Sequence, residues 1–542
     1  MKILGVNAVF HDPAAAVVDD GRVIAAAEEE RFSRRKHGKR PYAFSTWEIP
    51  EQSIRWCLAE AGLTAQDLDA VTYSYDPALV DPELPGTEQD WEFLRTMYAE
   101  RFPRFLRTVL PDVDPSIVRF VPHHLTHAAS AALASPHQDC AVLVADGRGE
   151  SSSYLAGEFR DGKLTQLASQ SLPHSLGLMY EDLTEHLGFA RSSDEYKVMA
   201  LGAYGTPRFL PELQRLVTTT DSGSFRIEPI EWDALAPRRR AGGSWTSAQA
   251  DLACSVQRRL EDVLLALAHW LYDRTGNPHL ALAGGVALNC VANTRLHAEG
   301  PFDDVWVQPA SGDAGTALGG ALLAATELGD TPAHPAGYDL GRAWTDTELE
   351  DILVAAAVPY ERPTDIADAV AEAIARNQVV GWFQGRSEFG PRALGHRSLL
   401  AHPSPAANIE RLNAVKGREQ FRPVAPMVAV DRASDIFGRG PVPSPYMLFV
   451  HDVAPEWRDR LSAVTHVDGT ARIQTVDPVT EPLLHRMLAA FERRTGVPVV
   501  VNTSFNTAGR PMVDSPRDAL ECFGSAPIDL LAMGPFAVRR PR

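Results

Sequence analysis

Alternating apolar residues separated by short turns predict two similar groups of three strands in the first part of the chain. In each group an acidic turn follows the first strand, and an Asp-Gly hairpin connects the second strand to the third. The repetition indicates an internal duplication. The six predicted strands are 2–8, 14–18, 22–27, 141–145, 153–158 and 163–168.

Helical periodicity places apolar residues on one face at 51–62 and along a long stripe at 247–274. Further elements alternate to the end, with strands at 279–282, 378–383 and 497–501 and a helix at 364–377. This alternation predicts an α/β protein. Two related lobes built on duplicated strands are typical of actin-like (ASKHA) nucleotide-binding domains, which hold the nucleotide between the lobes.

A segment rich in proline and glycine, without periodicity, occupies residues 330–345. Such segments mark domain boundaries. We therefore predict a first domain over 1–335, a linker over 336–362 and a second α/β domain over 363–542.

Composition excludes several classes of protein. The 542 residues are 45% hydrophobic and 23% charged, which excludes a disordered chain or a fibre. The net charge of −18 argues against nucleic-acid and anionic-membrane partners. Five scattered cysteines without a CxxC pair favour a reducing compartment. No signal-peptide core or membrane-spanning run is evident, so a cytoplasmic location is expected.

A candidate metal site combines two histidines with two aspartates. His123 and His127 are spaced to project from one face of a helix, Asp146 ends an apolar strand, and Asp313 lies in a glycine-rich segment. Mixed nitrogen and oxygen ligands suit iron, zinc, manganese or magnesium. A histidine pair with an ordinary structural role is the alternative.

Glycine loops and lysines suggest anion binding in the same half of the chain. Gly284 and Gly285 follow a strand, where the absence of side chains allows close approach to a base or phosphate, although tight helix–strand packing is an alternative. Lys197 precedes a stretch of small residues suited to a phosphate contact, and Lys36 could reach an anion beside His11.

The strongest single signal is a basic segment in the second half. Between residues 386 and 422 there are seven Arg or Lys and three Glu, a net charge of +4 within an acidic chain. Arginine forks match phosphate and carboxylate oxygens, so a small dianion together with a nucleotide is the preferred ligand; a surface ion-pair network is the alternative. Arg472 and the turn 502–506, after a strand, add polar groups.

Nine sequence blocks follow one another along nearly the whole chain. They are HDPAAAVVDDGRVIAAAEEERFSRRKH, HHLTHAASA, DGRGE, DEYKVMALGAYG, GGVALNC, GDAGTALGGA, GPRALGHRS, FRPVAPMV and VNTSFN. In this order the blocks resemble the nodulation and antibiotic carbamoyltransferases (NodU/CmcH type), whose members tailor natural products by O-carbamoylation.

The resemblance implies an actin-like transfer domain followed by a YrdC-like domain that forms carbamoyl-adenylate. It implies metal ligands at His123, His127, Asp146 and Asp313, with iron(II) the usual ion and magnesium an option with the nucleotide. It places transferase residues at His11 and Lys36, and nucleotide contacts at Lys197, Gly284, Gly285 and Asn289. It places carbamoyl-phosphate and ATP contacts in the second domain at Arg392, Lys416, Arg422, Arg472, Asn502 and Ser504.

The implied reaction has two steps. Carbamoyl phosphate and ATP would give carbamoyl-adenylate in the second domain, and the carbamoyl group would pass in the first domain to a hydroxyl of an antibiotic, macrolide or aminosugar type of natural product. His11 would act either as base or as a positioning residue. The rivals are an actin-fold small-molecule kinase and a non-enzymatic ATP-gated binding module. The sequence leaves the acceptor, the metal, intermediate channelling and the oligomeric state open.

Overall fold

The computed structural model describes residues 1–38, 48–81, 83–84 and 89–540. It divides into two compact units, Met1–Pro335 and Ala336–Arg542. No helix among the described residues is long and apolar enough to cross a membrane. All five cysteines are free.

The first unit contains two five-stranded sheets with the same topology. In the first, the order is β3-β2-β1-β4-β5, and in the second it is β12-β11-β6-β7-β8. Each sheet has three antiparallel strands followed by two strands parallel to the first of them. These strands are β1 Lys2–Asn7, β2 Ala14–Asp19, β3 Arg22–Glu28, β4 Ala70–Tyr73, β5 Val118–Phe120, β6 Cys140–Ala145, β7 Ser152–Arg160, β8 Lys163–Ser171, β11 His279–Ala283 and β12 Asp304–Val307.

The shared strand order confirms the duplication predicted from the sequence. A separate hairpin pairs β9 Val217–Thr219 with β10 Phe225–Ile227. The helices of this unit are α1 Glu30–Ser33, α2 Glu51–Glu60, α3 Gln89–Glu100, α4 Phe102–Val109, α5 His123–Ala132, α6 Leu176–His186, α7 Glu195–Gly202, α8 Leu210–Leu216, α9 Trp232–Leu235, α10 Ser247–Thr275, α11 Cys290–Glu299 and α12 Ala314–Glu327.

Helix α12 packs tightly because its sequence is rich in small residues. A Cβ atom on Gly319 would lie 1.9 Å from the carbonyl oxygen of Thr126 on α5, and one on Gly5 of β1 would lie 1.9 Å from that of Ala317. Only glycine allows approaches this close. The packing brings the start of α12, at Asp313, next to the helix that carries His123.

The second unit is built on a seven-stranded mixed sheet with the order β19-β15-β20-β14-β13-β21-β22, and a small sheet β16-β17-β18. Its strands are β13 Val380–Phe383, β14 Arg397–Ala401, β15 Ala425–Ala429, β16 Phe437–Gly438, β17 His451–Val453, β18 Thr470–Ala471, β19 Gln474–Val476, β20 Val499–Ser504, β21 Leu530–Met533 and β22 Phe536–Arg539. Its helices are α13 Asp346–Ala355, α14 Ile366–Ala375, α15 Ala407–Val415, α16 Val430–Ala433, α17 Pro455–Arg458, α18 Pro482–Thr495 and α19 Pro516–Ser525.

The segment 336–362 contains α13, which a Thr345–Glu348 capping box begins. Leu349 and Leu353, spaced one helical turn apart, are buried in the core of this unit. The chain is thus mixed α/β in both units, with an ordered helix in the stretch where the sequence predicts a linker.

Candidate functional site

Four side chains of the first unit form a buried cluster. His123 and His127 lie one turn apart at the start of α5, Asp146 directly follows β6, and Asp313 directly precedes α12. One ligand atom from each lies within 4.8 Å of the others, and all four residues are buried. The structure therefore brings the predicted histidines and aspartates together.

Distances within the cluster are uniform. His123 Nε2 lies 3.3 Å from Asp146 Oδ2 and 3.6 Å from Asp313 Oδ1. His127 Nε2 lies 3.8 Å and 3.5 Å from the same two oxygens. Two imidazole nitrogens and two carboxylate oxygens thus face a common centre.

Neighbouring groups hold each ligand in place. The backbone N–H of Gly285 donates to Asp146 Oδ1 at 2.8 Å, and that of His11 donates to Asp313 Oδ2 at 3.1 Å. Each aspartate therefore keeps its other oxygen directed at the histidines. His123 Nδ1 lies 3.1 Å from the Ser74 carbonyl oxygen, which accepts its proton and leaves Nε2 with the lone pair.

The residues fit a divalent metal ion. Both ring nitrogens of His127 are buried and have no hydrogen-bond partner among the described residues. Burial lowers the pKa of His123, but its hydrogen bonds to Asp146 and Asp313 raise that pKa well above its usual value. The carboxylates therefore favour positive charge between them. A set of two histidines and two carboxylates suits a first-row divalent ion such as iron, manganese or zinc.

A second polar cluster lies beside the first. The Asp12 carboxylate lies 2.9 Å from His11 Nδ1 through one oxygen and 2.9 Å from His37 Nδ1 through the other. The other ring nitrogen of His37, Nε2, lies 2.9 Å from Ser193 Oγ. The order hydroxyl, imidazole, carboxylate is the arrangement of a proton relay. The His11 backbone connects this cluster to Asp313.

Backbone strain is concentrated in the same place. Asp12, His37 and Ser192 have φ angles of 44°, 63° and 57°. Strained non-glycine residues of this kind collect at functional sites.

The sequence analysis selected His11 and Lys36 but missed Asp12, His37 and Ser193, which only the fold brings together. Lys36 is exposed.

The residues predicted to bind the nucleotide make contacts with other residues of the protein. Gly284 has φ of 90°, and a Cβ there would lie 2.2 Å from the Ala145 carbonyl oxygen, so close strand packing requires this glycine. Asn289 caps α11 and exchanges hydrogen bonds with Gln257. Lys197 Nζ lies 2.9 Å from Asp194 Oδ2. The backbone N–H of Gly285 contacts the cluster of two histidines and two aspartates through Asp146.

Glu195, at the start of α7, is a half-buried acid that the sequence analysis missed. Burial, aided by the charge of Glu181, raises the pKa of the Glu195 carboxyl from 4.5 to about 7. Its Oε1 is buried and has no hydrogen-bond partner among the described residues. The protonated form is thus favoured by folding, and this stability is lost as the pH rises from 4.5 through about 7.

Glu195→Gln is expected to stabilise the protein at pH 8 by about 1–3 kcal/mol, because it removes the cost of ionising a buried carboxyl. At pH 5.5 the gain should fall to less than half of its value at pH 8, because the carboxyl of the folded protein is then mostly protonated. The gain in unfolding free energy is measured by urea unfolding at both pH values, with the exposed Glu231→Gln as the control. An equal gain at both pH values would contradict the elevated pKa.

A third polar cluster lies in the second unit. Lys416, although buried, donates from Nζ to the Ser504 carbonyl at 2.6 Å, to Ser504 Oγ at 2.8 Å and to Asn506 Oδ1. Asn502 Nδ2, on the same strand β20, donates to the Ala393 carbonyl at 3.1 Å and to Gln474 Oε1 at 2.6 Å. These bonds connect strand β20 to the segments that carry Arg392 and Arg472.

Arg392 belongs to a loop folded around one carboxylate. Glu388 Oε1 accepts from the backbone N–H groups of Leu394, His396 and Arg397 at 2.7–3.1 Å. Arg392 and Arg472 are half-buried. Arg422 lies 3.4 Å from Glu419. The bonds to Glu388 therefore fix the backbone of the loop that carries Arg392, and Arg422 is held near Glu419.

Other arginines of the basic segment have structural roles. Arg397 is fully buried and donates to the carbonyls of Gln384, Gly385, His396 and Arg342. Arg386 donates to two backbone carbonyls, and Arg411 pairs with Asp529 at 2.6 Å. Counting charges along the sequence could not distinguish arginines with these structural contacts from the other basic residues of the segment.

Comparisons with known proteins identify the family of this chain. The model "Carbamoyltransferase N-terminus" matches residues 2–111 and 89–322, and "Carbamoyltransferase C-terminus" matches 371–540. Nodulation protein NolNO of Sinorhizobium fredii is 39% identical over 98% of this chain and 80% of its own length. Nodulation protein U of the same organism is 31% identical, over 96% of each chain.

An uncharacterized Synechocystis protein is 37% identical over 99% of this chain and 96% of its own length. Component A of (R)-2-hydroxyglutaryl-CoA dehydratase from Acidaminococcus fermentans, a solved structure, is 15% identical over 60% of this chain and 98% of its own, with a TM-score of 0.34, a likeness too weak to carry a conclusion. The two matched models together with the full-length relatives show that this chain belongs to the carbamoyltransferase family, and that it is an enzyme of that kind.

Proposed function

We propose that the protein is an ATP-dependent O-carbamoyltransferase that forms carbamoyl-adenylate in its second unit and transfers the carbamoyl group in an actin-like first unit. The observation that carries the proposal is the presence of two chemically different sites, one in each unit. The first has a buried His/Asp cluster, and the second has a lysine and arginines suited to anions. The second unit would be YrdC-like, and the acceptor would be a hydroxylated small natural product.

In the second unit, Arg392, Arg422 and Arg472 would hold the phosphate oxygens of carbamoyl phosphate and ATP, because guanidinium forks match such oxygens. Water releases carbamate and phosphate from carbamoyl phosphate. The carbamate oxygen then attacks the α-phosphorus of ATP, forming carbamoyl-adenylate and expelling pyrophosphate. Lys416, held against Ser504, would offset the negative charge gathered there.

In the first unit, the acceptor oxygen would attack the carbamoyl carbon, and the bond from that carbon to the adenylate oxygen would break to release AMP. Gly284 and Gly285, together with Lys197 and Asn289, would accommodate the nucleotide. A divalent ion held by His123, His127, Asp146 and Asp313, iron(II) by the resemblance, would supply Lewis-acid stabilisation of charge at the reacting group.

The proton of the acceptor hydroxyl needs a base, and His37 is the better placed histidine. Its Nε2 lies against a hydroxyl oxygen, that of Ser193, while Asp12 fixes the opposite nitrogen at 2.9 Å. A carboxylate in that position sets the tautomer and stabilises the imidazolium. The backbone N–H of His11 holds Asp313, so His11 would then position the cluster that contains Asp313. The exposed Lys36 would contact the adenylate or the acceptor.

His37→Ala is expected to lower kcat for transfer by about 10²–10⁴-fold, with a smaller change in KM, because it removes a general base. Pyrophosphate release in the second unit should be unchanged. Added imidazole should restore part of the lost rate, and exposed His269→Ala serves as the control. If His11→Ala showed the rescuable loss and His37→Ala did not, the base would be His11.

The function is tested by incubating the protein with carbamoyl phosphate, ATP and a panel of aminoglycosides, macrolides and lipo-oligosaccharides. The expected product is an acceptor heavier by about 43 Da, the mass of HNCO, accompanied by AMP and pyrophosphate. ADP with a phosphorylated acceptor would instead identify a kinase. ATP binding without AMP release would identify a binding module, and either result would overturn the proposal.

A further inference from the structure

A third group of ligand-type side chains lies at the opposite end of the second sheet from Asp146. His279 begins β11 and Asp304 begins β12, and the two residues are direct partners in the parallel register. His137 comes shortly before β6, the strand that flanks β11 on its other side. Three neighbouring strands thus bring their amino ends, with two imidazoles and one carboxylate, to one edge.

The three side chains are in contact. His137 Nε2 lies 2.9 Å from Asp304 Oδ2, and the rings of His137 and His279 stack with centroids 4.1 Å apart and planes 6° apart. One ligand atom from each residue lies within 4.8 Å of the others. His279 Nδ1 is buried and has no hydrogen-bond partner among the described residues.

Two neutral imidazoles and the Asp304 carboxylate give this cluster a net negative charge, which favours a cation. Two stacked imidazoles cannot both carry a proton cheaply at this separation, whereas neutral imidazoles with a carboxylate are metal ligands.

We propose that His137, His279 and Asp304 form a second divalent-metal site, independent of the cluster around Asp146. Two imidazoles with one carboxylate select a borderline ion such as zinc over calcium or magnesium, which prefer oxygen ligands. β6 runs between the two sites from residue 140 to 145, so they lie at opposite ends of that strand, roughly 20 Å apart at about 3.3 Å per residue.

Half of the Asp304 side chain is exposed, so an ion there has an open route and keeps room for water. Such an ion would join the loop before β6 to the amino ends of β11 and β12. The site lies at the opposite end of β6 from Asp146, so its effect is expected on stability rather than on the reaction. This inference does not depend on the proposed function.

The test is equilibrium dialysis of the full-length chain against Zn²⁺, with bound metal counted by mass spectrometry. His279→Ala and Asp304→Asn are each expected to bind one equivalent less than the unsubstituted chain, or to bind it about tenfold more weakly. Asp146→Asn should retain this equivalent. Co²⁺ gives a second readout, because its visible spectrum reports an imidazole-containing site that disappears in the same two variants.

Asp304→Asn changes a half-exposed side chain, so this variant should fold even if His279→Ala does not. The zinc content of Asp304→Asn therefore decides between the outcomes. Equal zinc content in Asp304→Asn and the unsubstituted chain would overturn the proposal. So would loss of every bound equivalent in Asp146→Asn, since that result would assign all the zinc to the other cluster. Circular dichroism of each variant confirms that the fold is retained.

Discussion

Asp146→Asn is expected to abolish metal binding at the cluster of His123, His127, Asp146 and Asp313 and to lower the transfer rate at least about a hundredfold. Substitutions of groups that merely support ligands cost 10–100-fold in affinity or activity, so loss of a ligand oxygen should cost more. Asp146 Oδ2 is the oxygen that faces both histidines, while Oδ1 is held by the Gly285 N–H. Asparagine retains the shape and removes the charge.

Three measurements separate this effect from misfolding. Bound iron or manganese should fall from about one equivalent to near zero. The increase in unfolding free energy that the ion gives the unsubstituted chain, about 4 kcal/mol at a thousandfold excess over Kd, should be absent. Pyrophosphate release by the second unit should persist.

The matched control is Asp304→Asn, on the same sheet at its opposite end, which should leave the first metal and the transfer rate unchanged. Retention of bound iron or manganese by Asp146→Asn, or loss of both half-reactions together, would contradict the assignment of Asp146 as a ligand of a separate transfer site.

Local pattern was enough to predict much of the fold. The duplicated strand groups and the long helix at 247–274 follow from alternation, Asp-Gly turns and a 3.6-residue period, and the structure has β1–β3, β6–β8 and α10 in those places. Helix α10 spans Ser247–Thr275, begun by a Thr246 capping box and ended by Gly276 in the left-handed region. Boundaries of this kind depend on neighbouring residues alone.

The site was predictable only where its residues carry a local signature. The spacing of His123 and His127 on one helix face, and the strand-end position of Asp146, are visible in the sequence. The pairing of Asp12 with His37 and of His37 with Ser193 is not, because it joins residues 25 and 156 positions apart. No period or turn rule reports such contacts, which arise from packing of distant elements.

Arg392→Ala is expected to abolish carbamoyl-adenylate formation, with at least a 10²–10³-fold loss, the cost of removing one donor to a developing anion. Transfer from carbamoyl-adenylate supplied directly should remain. The reason is positional: the Arg392 loop is folded around Glu388, and Asn502 donates to the carbonyl of the next residue, Ala393, so the backbone of this loop is attached to strand β20, which carries Ser504. Pyrophosphate release from ATP and carbamoyl phosphate measures the first step.

The control for Arg392→Ala is Arg411→Ala, which removes the same charge from the same basic segment but from a surface pair with Asp529. Both side chains of this ion pair are only partly exposed, but the pair lies on Asp529 and not on Ser504, so Arg411→Ala should retain nearly full pyrophosphate release. If both variants lost activity equally, the effect would come from net charge rather than from a binding site. If Arg392→Ala lost both half-reactions, adenylate formation and transfer would share one site, and the division of chemistry between the units would be wrong.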